Sequence, residues 1–396
     1  MNILFVHDRF GDWAGAEGNL RVVASAFARR GHAIGLLHGA PTGRGESAWQ
    51  ELFPERHALA DAGWAAALHD FHPDAVFLHS SPGTEATAAL LASGLPLVRM
   101  VHDHHLFCLR GCRYSIWSRR ACTRSLSPYC LIPCGGILNR QHDGSWSLEL
   151  GRYLDRRRDL DLHRRFARLV VASDYMRHEL LRNGFAEDQI EVHPPVAPAV
   201  DRGVSRPRRD PRRIVFAGQI VRGKGVDVLL ESLSLVRAPF ECVILGDGQH
   251  RAHCEELSRR LGLAGRVRFE GHVAPDDVAG WYRTATLAVF SSVWPEPFGL
   301  AGLEALRHGV PVVAFDVGGV REWLEDGVSG LLAPWMDRDG FARRVERLLT
   351  DDDLAHRLGE QGRRLAAERF DFERYIEGLE ALFQRLVPTA TCEVTR

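Results

Sequence analysis

Short apolar runs, each followed by a loop and then a helix-length amphipathic segment, recur along most of the chain, and this alternation limits the fold more than any other feature. Asn2–His7 is such a run, ending at Asp8-Arg9-Phe10-Gly11; Leu20–Arg29 follows with helical spacing until Arg30-Gly31-His32 stops it. The order repeats with Ala33–Leu37, Ala75–His79, Leu97–His102 and Leu169–Ser173 as buried strands, separated by segments such as Thr84–Ser93. A strand that is apolar on both faces must be covered on both faces. The pattern therefore predicts an α/β chain with a doubly wound parallel sheet.

A second series begins after Val192-His193-Pro194-Pro195-Val196 and the Arg- and Pro-rich stretch Asp201–Arg213, which reads as a linker because it has few large apolar residues. Beyond it come the runs Arg213–Ala217, Glu241–Leu245, Val267–Glu270, Leu287–Phe290 and Val312–Phe315. With 396 residues the chain is long for one core, and at roughly 100–200 residues per domain two domains are the simplest reading. The expected organisation is a first domain at 1–198 with a cysteine-rich insertion at 104–140, a linker at 199–212, a second domain at 213–370, and a final segment at 371–396. The helix Phe372–Leu386 in that last segment could pack on either domain. Ligands of open parallel sheets bind at the carboxyl ends of the strands, so the loops there are the candidate site.

A net charge of -1 excludes a global electrostatic attraction to nucleic acid or membrane, although local patches remain open. Met1–His7 has no basic region followed by a long apolar run, so no signal peptide is expected, and no stretch reaches the ~20 apolar residues that span a bilayer. These features point to the cytoplasm, with cysteines reduced or metal-bound rather than paired.

Glu296-Pro297-Phe298-Gly299-Leu300-Ala301-Gly302-Leu303-Glu304 sets two carboxylates across a loop-to-helix junction. Pro295 and Pro297 forbid helix through the first glutamate, and Gly299 lets backbone approach a ligand. Helical spacing from Leu300 carries Glu304 about two turns, or ~10 Å, beyond Glu296. The N–H groups at the helix start suit a phosphate, and the flanking glutamates suit hydroxyls. A solvated Glu304 on an ordinary amphipathic helix is the bland alternative.

Gly218-Gln219-Ile220-Val221-Arg222-Gly223-Lys224-Gly225 follows the first strand of the second series, and Val226–Leu235 after it reads as a helix. Its amides, with Arg222 and Lys224, form either an anion nest for a diphosphate or a glycine turn with solvated charges. Leu245-Gly246-Asp247-Gly248, also at a strand end, admits a ligand or is a tight structural turn. Trp13-Ala14-Gly15-Ala16-Glu17-Gly18 puts small residues at a helix start, for a negative group or for close packing. In Val101-His102-Asp103-His104-His105, His102 and Asp103 are placed to meet a sugar or to position a proton. Three histidines together also permit a metal, though hydrogen-bonded loop histidines are commoner.

Taken together these loops resemble the retaining glycosyltransferases of family 4, the glycogen-synthase-like group with the GT-B fold. The resemblance covers nearly the whole chain. It rests on the E-x7-E pattern from Glu296 to Glu304, on Arg222-Gly223-Lys224-Gly225, and on Gly318-Gly319-Val320-Arg321-Glu322 followed by Asp326-Gly327-Val328-Ser329-Gly330-Leu331-Leu332. It implies two facing Rossmann-like domains across a deep cleft, with a nucleotide-diphosphate-sugar donor in the second and an acceptor mostly in the first. The implied acceptor is a glycan, a lipid-linked sugar or another glycoconjugate, in envelope polysaccharide synthesis. Glu304 would hold ribose hydroxyls and Glu296 the donor sugar. Phe298, Gly299 and Leu300 would offer backbone to sugar and phosphate, beside Gly218 and Gly246 at the neighbouring strand ends. Lys224 with Arg222 would neutralise the leaving diphosphate, Gly15 would lie near it, and His102 would contact the sugar near the reacting carbon. No catalytic cofactor or metal is implied. The chain departs from the family at Gln219, where arginine is common, and at Ala14, where a first glycine is common. A GT-B epimerase, a phosphorylase and a non-catalytic nucleotide-binding subunit are the competing readings.

Cys108, Cys112, Cys122, Cys130 and Cys134 fall between His102 and Gly135, more than half of the chain's 8 cysteines. A structural zinc on Cys108, Cys122, Cys130 and Cys134, with Cys112 as a substitute, stands beside reduced thiols as equal alternatives. Arg110, Arg113, Tyr114, Trp117, Arg119, Arg120, Arg124 and Tyr129 share this segment, and arginines at 152, 156, 157, 158, 164, 165 and 168 follow it. A solvated helix face is the default for that basic run, and peripheral attachment to an anionic membrane on its inner face is the sharper option.

Overall fold

A computed structural model describes residues 1–12, 15–115, 118–140, 146–148, 152–196 and 212–387. Trp13 and Ala14 of the amino-terminal loop, Trp117, the linker apart from Arg212, and the tail from 388 onward lie outside the described residues. The chain divides into two compact units. The first comprises Met1–Arg113, Thr123–Ala199 and Phe372–Arg396; the second comprises Tyr114–Cys122 and Val200–Asp371.

In the first unit the strands are β1 (Asn2–Phe10), β2 (Ala33–Pro41), β3 (Arg56–Ala58), β4 (Ala75–Leu78), β5 (Leu97–Val101), β6 (Leu138–Arg140), β7 (Trp146–Leu148), β8 (Arg168–Val171) and β9 (Ile190–Val192). Seven of them form one sheet in the order β3-β2-β1-β4-β5-β8-β9. Every pairing in it is parallel. The β6-β7 pair is antiparallel and separate; β6 closes the cysteine-rich insertion and β7 lies beyond it. Ile3, Leu4, Phe5 and Val6 of β1, with Val76 and Phe77 of β4, are fully buried, as a strand covered on both faces requires. Each such side chain contributes roughly 1.5–3 kcal/mol of transfer free energy.

The helix Phe372–Leu386 belongs to this first unit. It buries Phe372, Tyr375, Ile376, Leu379, Leu382 and Phe383, a stripe at helical spacing. Phe383 meets the Phe77 ring at 5.2 Å, and Tyr375 hydrogen-bonds Asn19 at 3.0 Å. Arg30 pairs with Glu373 at 2.7 Å and with Glu380 at 2.8 Å.

The second unit carries β10 (Arg212–Ala217), β11 (Phe240–Leu245), β12 (Val267–Gly271), β13 (Leu287–Phe290), β14 (Val312–Phe315) and β15 (Gly330–Ala333). They form a wholly parallel sheet in the order β12-β11-β10-β13-β14-β15. The order reverses direction beside β10 and β13, whose carboxyl ends feed the two loops of greatest chemical interest. Asp351, first of three consecutive aspartates, accepts the Leu354 N–H at 2.9 Å and caps the helix Asp352–Arg369. Residues 114–122 join this unit through the Arg119–Asp227 ion pair.

The short edge strands β3, β9 and β15 escape a reading by apolar runs, because three or four residues bounded by polar loops show no period. Helix Gly15–Arg29 also begins earlier than its apolar spacing announces, with Glu17 in its first turn.

Candidate functional site

The second unit's strand ends gather most of the expected residues. Glu296 is buried, and its Oε1 accepts from Lys224 Nζ at 2.7 Å, from Trp294 Nε1 at 2.7 Å and from the Ser292 hydroxyl. Burial alone would raise this carboxyl; the Lys224 charge and the three hydrogen bonds outweigh it and hold Glu296 below its ordinary value. The Lys224 ammonium lies 5.4 Å from the Trp294 ring centre and 5.9 Å from that of Phe290. One carboxylate oxygen of Glu296 is thus saturated by protein donors, with its charge matched.

Trp294 also binds the two loops together. Its ring occupies the space a Gly223 side chain would need, with a Cβ placed 2.4 Å from the ring, and its backbone N–H donates to Gly223 O at 3.2 Å. Gly318 and Gly319 pack on the Glu296 backbone: Gly319 N–H donates to Glu296 O at 2.8 Å, and a Gly318 Cβ would fall 2.3 Å from that oxygen. The Gly-Gly pair is therefore the seat of the first glutamate. Ser292 and Trp294 are neighbours of Glu296 that the sequence reading missed, and it named Gly318-Gly319 only as part of the family pattern, not as this seat. The available signal was Trp294 in alternation with Glu296 inside a Pro-stiffened loop.

Gly299 has φ 99°, which favours glycine, and precedes helix Leu300–Arg307, whose first turn is capped by no side chain. The Phe298 carbonyl, expected to face a ligand, instead accepts the Trp323 indole N–H at 2.7 Å. No hydrogen bond engages the Gly299 and Leu300 N–H groups among the described residues. Glu304 is open to solvent, and its carboxylate makes no hydrogen bond among the described residues. Surrounding protein nevertheless desolvates it and pushes it up to about 7, with Arg307 pulling the other way. While water still reaches the side chain that shift carries little energy; a ligand that displaces the water would make it count.

Arg222 is exposed, and no hydrogen bond or ion pair engages its guanidinium among the described residues. Gly218 and Gly246 lie back to back: a Gly246 Cβ would sit 1.9 Å from Gly218 O, so the packing of two strand-end loops accounts for the glycine without a ligand.

The first unit holds the rest. His102 follows β5, and its Nε2 lies 2.9 Å from His79 Nδ1. Burial pushes His102 down to about 3, against the opposing Asp103 charge, and drives His79 well below its ordinary value, helped by His102 and His7. Asp103 turns back to accept the His105 N–H at 2.7 Å. Gly15 is the exposed first residue of its helix.

Of the two readings of the cysteines, the structure carries the one without metal: among the described residues no group of three or more His, Cys, Asp or Glu is placed to hold an ion, and Cys108, Cys112, Cys122, Cys130 and Cys134 form no disulfide. The basic run is partly engaged within its own unit: Arg152 donates to Leu109 O at 3.0 Å, and Arg156 lies 3.7 Å from Asp159. No helix among the described residues is long and apolar enough to cross a membrane.

Comparison with known proteins gives two family matches that meet end to end. "Glycosyltransferase Family 4" covers residues 13–198, and "Glycosyl transferases group 1" covers 199–365. Among curated relatives, a D-inositol 3-phosphate glycosyltransferase of Streptomyces bingchenggensis is 33% identical over 230 residues, 52% of this chain and 50% of the relative. A lipopolysaccharide core biosynthesis glycosyltransferase, LpsE of Rhizobium meliloti, is 33% identical over 175 residues, 44% of this chain and 50% of the relative. The chain spans about half the length of these relatives. Among solved structures, Anabaena Alr3699/HepE in complex with UDP and glucose superposes with a TM-score of 0.73 at 19% identity, over 98% of this chain and 100% of the other. Sucrose-phosphate synthase from Thermosynechococcus elongatus does so with a TM-score of 0.70 at 17% identity, over 97% and 98%.

Proposed function

Because the chain belongs to the family 4 glycosyltransferases and has the GT-B fold, we propose that it transfers a sugar, with anomeric configuration retained, from a nucleoside-diphosphate sugar to a glycan, lipid-linked or other glycoconjugate acceptor. The observation that carries this reading is the Lys224–Glu296 pair beside the uncapped start of helix Leu300–Arg307. In it a fixed cation, open amides and a charge-matched carboxylate converge. The diphosphate lies against the Gly299 and Leu300 amides, Lys224 and Arg222, which neutralise the charge that develops as the sugar leaves. Glu304 takes the ribose hydroxyls, and the second oxygen of Glu296 takes a hydroxyl of the transferred sugar. At its own strand end in the first unit, His102 is a hydrogen-bonding group for a sugar.

Glu296 is a poor nucleophile in this arrangement, since its charge is matched by Lys224 and one oxygen already receives three donors. Transfer proceeds instead on one face. The bond from the anomeric carbon to the phosphate oxygen breaks, the acceptor oxygen bonds to that carbon from the same side, and the acceptor proton passes to the departing phosphate oxygen. The lipopolysaccharide-core relative supports an acceptor of the cell envelope, and the UDP-bound neighbour makes UDP-glucose the first donor to try. Peripheral attachment to an anionic membrane through the exposed arginines of helix Arg152–His163 belongs to the same reading.

The test is turnover of a panel of nucleoside-diphosphate sugars by the purified chain, with product anomers read by NMR. The expected result is release of the nucleoside diphosphate with at least one donor, lost in Lys224→Ala, and a product of the donor's own anomeric configuration. No turnover and no calorimetric binding across the panel would overturn the reading, and an inverted product would overturn the mechanism.

A further inference from the structure

His79 is a buried ionisable group that the transfer chemistry leaves without a task, at 3% exposure in the centre of the first sheet. We propose that His79 is a positioning residue that fixes the ring and the tautomer of His102, so that His102 presents an N–H rather than a basic nitrogen to its ligand. The consequence for transfer rests on the reading above, in which His102 meets a sugar.

The geometry is built from adjacent parallel strands. His79 follows β4 and His102 follows β5, and the two rings stack with centres 5.1 Å apart. His79 is held on its other sides by the Phe77 ring at 4.5 Å, the Phe5 ring at 5.9 Å and a backbone hydrogen bond from its N–H to Val6 O at 2.9 Å. Among the described residues its only side-chain hydrogen bond joins Nδ1 to His102 Nε2, and its own Nε2 is buried with no partner.

A bond between two ring nitrogens needs one proton, and there are two ways to supply it. If His102 donates from Nε2, neutral His79 carries its proton on Nε2, as a buried N–H with no acceptor among the described residues. If His79 donates from Nδ1, the buried Nε2 is only a bare lone pair, and the proton of His102 sits on Nδ1, the nitrogen left for a ligand. Orphaned buried donors are rarer than under-satisfied acceptors, so the second arrangement is selected. Both rings resist a second proton: burial disfavours the charge on each, with His102 and His7 adding to it at His79, and His7 and Arg99 adding to it at His102 against the opposing Asp103. Free imidazole prefers its proton on Nε2, so the fold imposes the minority tautomer on both rings. His102 is then a hydrogen-bond donor to a sugar hydroxyl and not a base.

The full chain labelled with [15N]histidine gives a direct test, because long-range 15N–1H spectra show which ring nitrogen carries the proton. The expected spectrum has the His102 proton on Nδ1, moving to Nε2 in His79→Phe; a native His102 protonated on Nε2 overturns the proposal. In donor turnover, His79→Phe is expected to lower kcat about 10–100-fold with KM changed less than about threefold, as a misplaced contact should. His79→Gln, whose amide can still donate to His102, is expected to restore most of that loss and also serves as the folding control. Native turnover by His79→Phe beside an inactive His102→Ala overturns the positioning role and leaves the sugar contact standing. Native turnover by His102→Ala with the expected spectra instead removes the sugar contact and leaves the tautomer lock standing.

Discussion

The two sheets place ionisable groups at equivalent strand ends and keep them there by opposite means. In the second unit Lys224 and Glu296 stay charged, each neutralising the other, with Trp294 and Ser292 completing the carboxylate's hydrogen bonds. In the first unit His79 and His102 are kept neutral by burial and share one proton. Matched charge suits a group that must meet a diphosphate; matched dipoles suit one that must orient a sugar. The lesson is that a buried charge is tolerable when its partner is built in, and that otherwise the protein removes the charge.

The largest expected effect breaks the charged site. Lys224→Ala should cut transfer about 10²–10³-fold, the scale for losing one preorganised charge stabiliser. It should also cost about 3 kcal/mol of stability by leaving Glu296 buried without its cation. The sign with pH follows from the depressed Glu296 carboxyl. Its contribution is present above the unfolded value of 4.5 and is lost as pH falls through the lower folded one. Without Lys224, burial dominates and the slope reverses, so the native-minus-variant difference in unfolding free energy should be larger near pH ~8 than near pH ~5. A difference independent of pH would dissolve the contrast between the two units.

Trp294→Phe keeps the ring beside Gly223 but removes one donor to a charged oxygen, and should cost about 1.5–3 kcal/mol in denaturant unfolding. A loss below about 0.5 kcal/mol would mean that Glu296 does not depend on the indole.

Helix glycines sharpen the comparison in packing terms. A Gly302 side chain would begin 2.0 Å from the Trp323 ring, whereas one at Gly18, in helix Gly15–Arg29, meets nothing within 4 Å. Gly302→Ala should therefore destabilise by about 1–3 kcal/mol. Gly18→Ala should stabilise by about 0.5–1 kcal/mol. Equal signs in thermal unfolding would contradict one of the two and break the comparison.

The smallest effect concerns Glu304. Its folded value of about 7 lies above the unfolded 4.5, so its contribution is complete below 4.5 and disappears as pH rises through about 7. Glu304→Gln should remove that part of the decline in melting temperature over this interval, modestly because water reaches the side chain. Donor should steepen the native slope, and identical slopes with and without it would separate Glu304 from the ribose.

Much of this was legible in residue order. Continuous apolar runs such as Ile3–Val6 and Val312–Phe315 can be buried only between two helical layers, so strand type and parallel pairing followed from local pattern. Glu296, Glu304 and Lys224 stood out because proline, glycine and charge were set at strand ends. Partnerships across sequence were not legible. Trp294 reads as one more aromatic until its indole is seen on Glu296, and Trp323 reads as core until it takes the Phe298 carbonyl. The cysteines stayed open between zinc and reduced thiols, because spacing alone does not show which thiols come together in space.

The sequence by itself determined two parallel α/β sheets, their loop chemistry and the family, because periodicity and turn residues act over a few neighbours. Only the tertiary structure decided which groups share a proton or a charge. His79 and His102 meet because β4 and β5 are neighbours, and Lys224 reaches Glu296 because β10 lies beside β13. Strand order is set by the burial of the whole sheet, a property that no local stretch of the chain contains.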